Sequence, residues 1–270
     1  SFPIGFQKLD TISGQLLAQG VEKFTSKDED CYEKPAIDVV LGRDSGDLFF
    51  LVSDDADKQA SYAEVQVWET NSFQCKKTLL RIEGHARSLT SDSNGNLIAV
   101  NVSEGISDYR SDEATDKGFT VIWNIESDSL ICRIPDGPSI FIPGSTDLIV
   151  FQSGVDDTNK WINQLTIWDS QNCQPLVEVA NILPSYNFLP ALSITSDGKI
   201  LAIAQRDIKL IDVSNGKLLA EIKDPSPKAS DLEQTDNILF FSPDGNFLVY
   251  VTPRGVGESI VNLWHIERVN

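Results

Sequence analysis

Histidine is scarce in this chain of 270 residues, and methionine is absent. With only His85 and His265, the sequence offers few candidates for general acid–base catalysis or for binding a transition metal. A nucleophile elbow, a phosphate-binding glycine loop and an HExxH zinc motif are missing as well. The sequence therefore predicts a protein that is not an enzyme, with no cofactor and no metal site.

Positive charge is also in short supply. The chain has 22 Lys and Arg against 40 Asp and Glu, which gives a net charge of −18. Nucleic-acid binding requires clustered basic residues, so we expect no nucleic-acid partner. No apolar run reaches the roughly 20 residues of a membrane helix, so we expect no membrane partner either. Because the chain begins with Ser1 and has no methionine, we expect it to be a piece of a longer protein.

The four cysteines show no CxxC pair and no zinc-site spacing. They are Cys31, Cys75, Cys132 and Cys173. Three of them occupy equivalent places in the repeat described below, and therefore fall in separate units. We accordingly expect free thiols rather than a disulfide, and a cytoplasmic location, where thiols stay reduced.

Short apolar segments separated by turn residues are abundant. The segment 238–267 is the clearest example, with the strands ILFF, NFLVYV and SIVNLWHI separated by SPDG and by a loop rich in Pro and Gly. Segments similar to the last of these strands recur along the chain. One residue of each copy aligns with Trp264, and these residues are at positions 9, 68, 123, 168 and 211. Spacings of 43 to 59 residues are within or slightly above those of four-stranded propeller blades. Consecutive apolar residues, as in LIVF and FLVY, indicate strands that are covered on both faces.

These repeats resemble the WD40-repeat family of β-propellers. The resemblance rests on Gly84-His85, on SPDG at 242–245, on Trp168-Asp169, and on aligned residues of the third strand. It implies structural roles for the repeat positions Trp68, His85, Trp123, Trp168, Asp169, Asp212 and Trp264. The hydrogen-bonded His–Ser/Thr–Asp–Trp set of the family is incomplete in every unit; for example, Val100 stands where a hydroxyl is expected. We expect these sites to be repacked with apolar groups.

The fold class predicted is all-β, a WD40-like β-propeller with about five four-stranded blades and a partial blade. We expect 1–270 to be one domain or part of a propeller, with 1–20 ending a preceding blade and blades at 36–83, 86–135, 138–180, 190–223 and 237–270. The last blade lacks a fourth strand. Residues 14–20 could supply it, but we favour membership of a larger propeller.

All the long connections are predicted at one face of the disc. They span 21–35, 54–63, 103–118, 153–163, 180–190 and 223–236, and most are acidic. Long loops on a rigid scaffold often carry function, although solvated insertions without a binding role are equally consistent with this pattern. The candidate partner-binding residues are Asp54, Asp55, Asp57, Tyr109, Asp112, Glu113, Asp116 and Trp161.

The function predicted is a non-catalytic protein–protein interaction scaffold or sensor that binds a protein or basic peptide through this acidic face. An alternative is a propeller domain of a larger enzyme, which gates a hydrolase or holds a cofactor.

Overall fold

Strands make up all the regular secondary structure that the computed structural model describes. The described residues are 5–9, 16–21, 36–41, 47–54, 62–69, 75–104, 117–155, 161–180, 190–205, 207–223, 238–254 and 258–267. No helix occurs in these ranges, so none of them holds a helix that could cross a membrane.

The strands form six antiparallel sheets in chain order. A hairpin pairs β1 (Gly5–Leu9) with β2 (Leu16–Val21). Blade 1 contains β3 (Ala36–Leu41), β4 (Asp47–Asp54), β5 (Tyr62–Glu69) and β6 (Cys75–Glu83). Blade 2 contains β7 (His85–Ser91), β8 (Leu97–Glu104), β9 (Lys117–Asn124) and β10 (Ser129–Pro135). Blade 3 contains β11 (Ser139–Phe141), β12 (Leu148–Val155), β13 (Trp161–Asp169) and β14 (Gln174–Ala180).

The two remaining sheets differ in size. Blade 4 contains β15 (Ala191–Ile194), β16 (Ile200–Ala204), β17 (Ile208–Asp212) and β18 (Leu218–Ile222). Blade 5 contains only β19 (Ile238–Phe241), β20 (Phe247–Arg254) and β21 (Glu258–His265). The described chain therefore has four complete blades, where the sequence predicted about five, and a fifth sheet of three strands.

The blades pack side by side in a propeller-like arrangement. The first strands β3, β7, β11, β15 and β19 contact one another in succession, as the innermost strands of a propeller do. Apolar layers fill the spaces between neighbouring blades. Between blades 3 and 4, for example, Ile149 and Phe151 pack with Leu201 and Ile203. The prediction of an all-β, propeller-like fold is confirmed.

The apolar runs explain why the second strands lie in the middle of each layer. Ile149, Val150 and Phe151 in β12 are all fully buried, although successive side chains point to opposite faces of the sheet. Both faces of this strand must therefore be covered by neighbouring blades. The fourth strands lie at the rim, and most of β18 is exposed. Solvent exposure therefore increases from the inner strands to the rim of the blade.

The N-terminal hairpin does not complete blade 5 by strand pairing. β2 pairs with β1, from Gly5 opposite Val21 to Leu9 opposite Leu16. In the described structure β21 pairs with β20 alone. Among the described residues, blade 5 therefore has three strands.

Candidate functional site

The two ends of the blades differ in their connections. At one end, the first and second strands are joined by short turns, and so are the third and fourth strands. Turns of neighbouring blades meet there: the Gly144 amide donates to Ser93 Oγ at 3.2 Å, and Ser196 Oγ donates to the Pro243 carbonyl at 2.8 Å. We call this end the turn face. The opposite end, the loop face, carries the connections 55–61, 105–116 and 156–160.

Strand pairing continues to the last residues before these loops. Asp54 pairs with Tyr62, Glu104 with Lys117, and Val155 with Trp161. Each loop therefore begins and ends on adjacent, hydrogen-bonded strands. This geometry gives the loops a rigid base at one end of the blades.

The predicted binding residues divide between this base and the loops. Asp54 is the last residue of β4, and Trp161 is the first residue of β13. The other candidates, Asp55, Asp57, Tyr109, Asp112, Glu113 and Asp116, lie outside the described residues. Strand topology thus places Asp54 and Trp161 at the loop face, and the use of any candidate in binding stays a prediction.

Cations at the loop face are engaged by acidic side chains. Arg81 Nε lies 3.3 Å from Glu64 Oε1, and its guanidinium stacks 4.2 Å above the Tyr62 ring. Arg87 lies 3.7 Å from the Asp136 carboxylate. These basic groups are therefore neutralised within the protein and do not offset the acidic loops.

Lys223 is the most strongly engaged of these cations. Its ammonium lies 2.8 Å from Glu221 and 2.9 Å from Asp207. The hydrogen bonds to Glu221 and then to Asp207 raise the pKa of Lys223 to about 12. Lys223 is therefore charged at neutral pH, and two carboxylates share that charge.

A buried amide connects blade 2 to the segment that leads into blade 3. Asn101 is 2% exposed, and its Nδ2 lies 3.2 Å from Thr120 Oγ1 and 3.2 Å from the Gly137 carbonyl. The same nitrogen also contacts the Asp136 carboxylate, which in turn pairs with Arg87. Sequence analysis did not single out this network. The sequence signal for this network was the presence of three polar residues, Asn101, Thr120 and Asp136, in or next to the apolar strands of blade 2.

At the turn face, a side-chain acceptor organises the connection between third and fourth strands in blades 2, 3 and 4. Asp169 Oδ1 accepts from the amides of Gln171 and Asn172, at 2.9 and 3.0 Å. Asp212 Oδ1 accepts from the Ser214 amide at 2.9 Å, and Asn124 Oδ1 accepts from the Ser127 amide at 2.8 Å. Asp169 and Asp212 thus hold the backbone of their turns in place.

Hydrogen bonding lowers the pKa of these turn carboxyls. The pKa of Asp169 is lowered mainly by the hydrogen bond from the Asn172 side chain, and that of Asp212 by the bond from the Ser214 hydroxyl. In the turn between the first and second strands of blade 5, the Ser242 hydroxyl lowers the pKa of Asp244 in the same way. In each case the bonds stabilise the ionised form. These three carboxylates are therefore occupied by hydrogen bonds within their own turns.

The repeat tryptophans are packed as structural residues. Trp68 is buried, and its Nε1 donates to Gln66 Oε1 at 3.1 Å. Among the described residues, Trp123 Nε1 and Trp168 Nε1 are buried without a hydrogen-bond partner. The half-buried Trp264 packs on the apolar layer between blades 4 and 5. The lack of a hydrogen-bond partner for these two indoles agrees with the incomplete hydrogen-bond set described for the repeat.

His85 begins β7 and is half-buried, opposite Ser103 on β8. His265 ends β21 and stacks at 5.2 Å on the Phe247 ring. The two imidazoles thus lie on different blades. Across the described ranges, no group of three or more His, Cys, Asp and Glu side chains could hold a metal ion.

A shallow cleft of about 290 Å³ lies at the turn face between blades 2 and 3. Its lining is mixed polar and apolar, and consists of Asn96, Leu97, Asn124, Glu126, Ile131, Thr146 and Gln171. No feature of the sequence marked these residues.

The expectation of free thiols is wrong. Cys132 and Cys173 form a disulfide across 41 residues of sequence, with their Cα atoms 6.2 Å apart. Cys75 is also disulfide-bonded, and no described cysteine is free. The expectation rested on the position of these cysteines in separate units of the repeat. Side-by-side packing instead brings the rim of blade 2 next to the rim of blade 3.

No protein-family model and no curated protein matches this chain. Among solved structures, it is similar to Kuenenia stuttgartiensis hydrazine synthase, with a TM-score of 0.58 and 11% identity over 97% of this chain and 89% of that chain. It is also similar to the Cps50 (Swd1) β-propeller domain of Myceliophteria thermophila, with a TM-score of 0.54 and 14% identity over 82% of this chain. The match spans 62% of the Cps50 chain. At these identities the likeness shows a β-propeller fold and nothing finer.

Proposed function

We propose that this chain is a WD40-like, non-catalytic interaction module that binds a protein or basic peptide through its loop face. The observation that carries the proposal is the asymmetry between the two ends of the blades. The turn face is closed by short turns, in which Asp169 and Asp212 accept hydrogen bonds from the backbone of their own turn. The acidic loops emerge at the opposite end, from paired strand ends.

Electrostatics at the loop face supports a basic partner. Arg81, Arg87 and Lys223 are already paired with carboxylates, so they leave the acidic excess of the loops in place. In a chain of net charge −18, a concentrated acidic face attracts cations and speeds their encounter. Such a module acts as a scaffold or sensor by holding its partner on a rigid disc.

Assignment to the WD40 family and a total of about five blades are further parts of this proposal, and the aligned Trp168-Asp169 pair and the propeller fold support them. The cytoplasmic location expected from free thiols is not part of it, because disulfides such as Cys132–Cys173 persist mainly in oxidising compartments.

Titration with an oligolysine peptide tests the proposed binding face. The triple variant Asp112→Lys, Glu113→Lys, Asp116→Lys reverses charge in one loop of that face. We expect it to weaken binding by about tenfold or more, and we expect added salt to weaken wild-type binding, since the attraction is electrostatic. Isothermal titration calorimetry measures both effects.

A control of similar size places lysines on the turn face, through Asn94→Lys, Glu126→Lys and Gln171→Lys, at positions that are all exposed; it raises the net charge by 4, where the loop variant raises it by 6. If the peptide responds only to net charge, both variants should bind it more weakly. If it binds at the loop face, only the loop variant should lose affinity. Unchanged affinity in the loop variant would remove the proposal.

The alternative function is a propeller domain within a larger enzyme. Its support is the structural likeness to hydrazine synthase, a protein named for its catalytic activity. At 11% identity this likeness transfers no residue and no reaction. A visible absorption band from a bound cofactor in the purified protein would favour this alternative.

A further inference from the structure

The Cys132–Cys173 disulfide joins the rims of two successive blades. Cys132 lies on β10, the fourth strand of blade 2, and Cys173 lies in the turn between β13 and β14 of blade 3. The innermost strands of the same blades, β7 and β11, contact each other. We call the boundary between blades 2 and 3 the 2–3 seam. Strand packing holds this seam at its inner end, and a covalent bond crosses it at the rim.

The apolar layer of the 2–3 seam is interrupted at both ends of the blades. At the turn face, the cleft of about 290 Å³ reaches the surroundings of the disulfide, because Ile131 and Gln171 both line it. At the loop end, the seam contains the buried polar side chains of Asn101 and Thr120. The other face of blade 2 stays apolar at this level, where Val102 packs against blade 1. Less apolar burial stabilises the 2–3 seam at its ends.

Trp168 adds an unfavourable contact to the closed seam. Its ring packs on the apolar layer between blades 2 and 3, and its Nε1 is buried without a hydrogen-bond partner among the described residues. Opening the seam would let water bind this donor. The hydrogen bond from the Gly144 amide to Ser93 Oγ also crosses the seam, but it is exposed and opposes opening only weakly.

The disulfide at this seam is within reach of solvent. Cys132 and Cys173 are half-buried, and the neighbouring Arg133, Asn172 and Gln174 are exposed. Cys75, which is also disulfide-bonded, is only 8% exposed. Thiol–disulfide exchange depends on access to the sulfur, so the two sites should differ in their reactivity.

We propose that the Cys132–Cys173 bond is a reducible latch, and that a dithiol reductant opens it so that the rims of blades 2 and 3 separate while both blades stay folded. One thiolate of the reductant attacks a sulfur of the bond, and the other cysteine leaves as a thiolate and takes up a proton. The second thiol of the reductant then resolves the mixed disulfide, which frees the remaining cysteine as a thiol. The protein gains two electrons and two protons, and the reductant becomes a disulfide.

Graded reduction of the full chain tests the selectivity of the latch. Dithiothreitol is raised stepwise, free thiols are alkylated with iodoacetamide, and the labelled peptides are identified by mass spectrometry. We expect Cys132 and Cys173 to be labelled at a dithiothreitol concentration about tenfold or more below that needed for Cys75, because they are more accessible. The far-ultraviolet circular dichroism should not change at that concentration.

Tryptophan fluorescence tests the opening of the seam. Reduction should increase the quenching of the wild type by acrylamide, and this increase should disappear in Trp168→Phe. The double variant Cys132→Ser, Cys173→Ser should show the increased quenching without reductant, and dithiothreitol should not raise it further. Selective reduction of the wild type produces the same state without any substitution, so the test does not depend on how the variants fold.

Three results would overturn the latch. Labelling of Cys75 together with Cys132 and Cys173 would remove its selectivity. Labelling that appears only when the circular dichroism signal is lost would mean that the bond is a permanent structural link. Quenching that does not change on selective reduction, or that rises equally in Trp168→Phe, would mean that the 2–3 seam stays closed.

Discussion

Single residues at the turn face show how one backbone requirement is met in different ways. Four residues after each turn acceptor, the backbone enters the left-handed region: Asp128 after Asn124, Cys173 after Asp169, and Gly216 after Asp212. Their φ angles are 50°, 58° and 71°. Glycine adopts this conformation freely, whereas other residues need support from their surroundings. Cys173 therefore has two roles, because it closes the turn and also forms the disulfide to blade 2.

Replacing Asp212 with asparagine should make turn stability less dependent on pH. The pKa of Asp212 is lowered from its ordinary value of 3.8 by its hydrogen bonds, so the folded state favours the ionised form. This contribution is present above that ordinary value and is lost as pH falls through the folded pKa. We expect the wild type to exceed Asp212→Asn in Tm most clearly above about pH 5, with the difference shrinking towards pH 2.

Thermal unfolding followed by circular dichroism across this pH range measures the effect. Glu126→Gln, at an exposed acid of another turn, serves as the control and should show no comparable change. A Tm difference between wild type and Asp212→Asn that grows as the pH falls would contradict the assigned role.

At the scale of elements, stability depends on whether a blade is covered. Leu210 and Leu263 occupy the same place on third strands, but only Leu210 is covered by a following blade. We expect Leu210→Ala to cost about 2–5 kcal/mol of unfolding free energy, since it leaves a cavity. Leu263→Ala should lower the free energy of unfolding by less than about 0.5 kcal/mol, because the Leu263 side chain is 62% exposed. Chemical denaturation of the two variants provides the comparison, and equal losses would mean that blade 5 is covered.

Much of the fold could be predicted from the sequence, because blade strands carry local signals. The consecutive apolar residues around Phe151 indicate cover on both faces, and the Asp and Gly residues of the turns indicate tight connections. The Cys132–Cys173 bond carried no such local signal, because it depends on how neighbouring blades lie beside each other. The Asn101 network was missed for the same reason, since its partners come together only when blade 2 meets the lead-in to blade 3.

At the scale of the whole molecule, charge and apolar surface are separated. The acidic loops emerge at one end of the blades, while exposed apolar side chains such as Val261 and Leu263 lie on the side of the last described blade. The candidate site could be predicted only as a surface, because no motif identifies its partner.

Hydrogen exchange measured by mass spectrometry, with and without bound oligolysine peptide, tests the central claim most directly. If the loop face is the binding face, exchange should slow in segments that contain 55–61 and 105–116. Exchange should be unchanged in the turns at 93–96, 126–128 and 171–173. Protection concentrated in those turns, with none in the loops, would contradict the account.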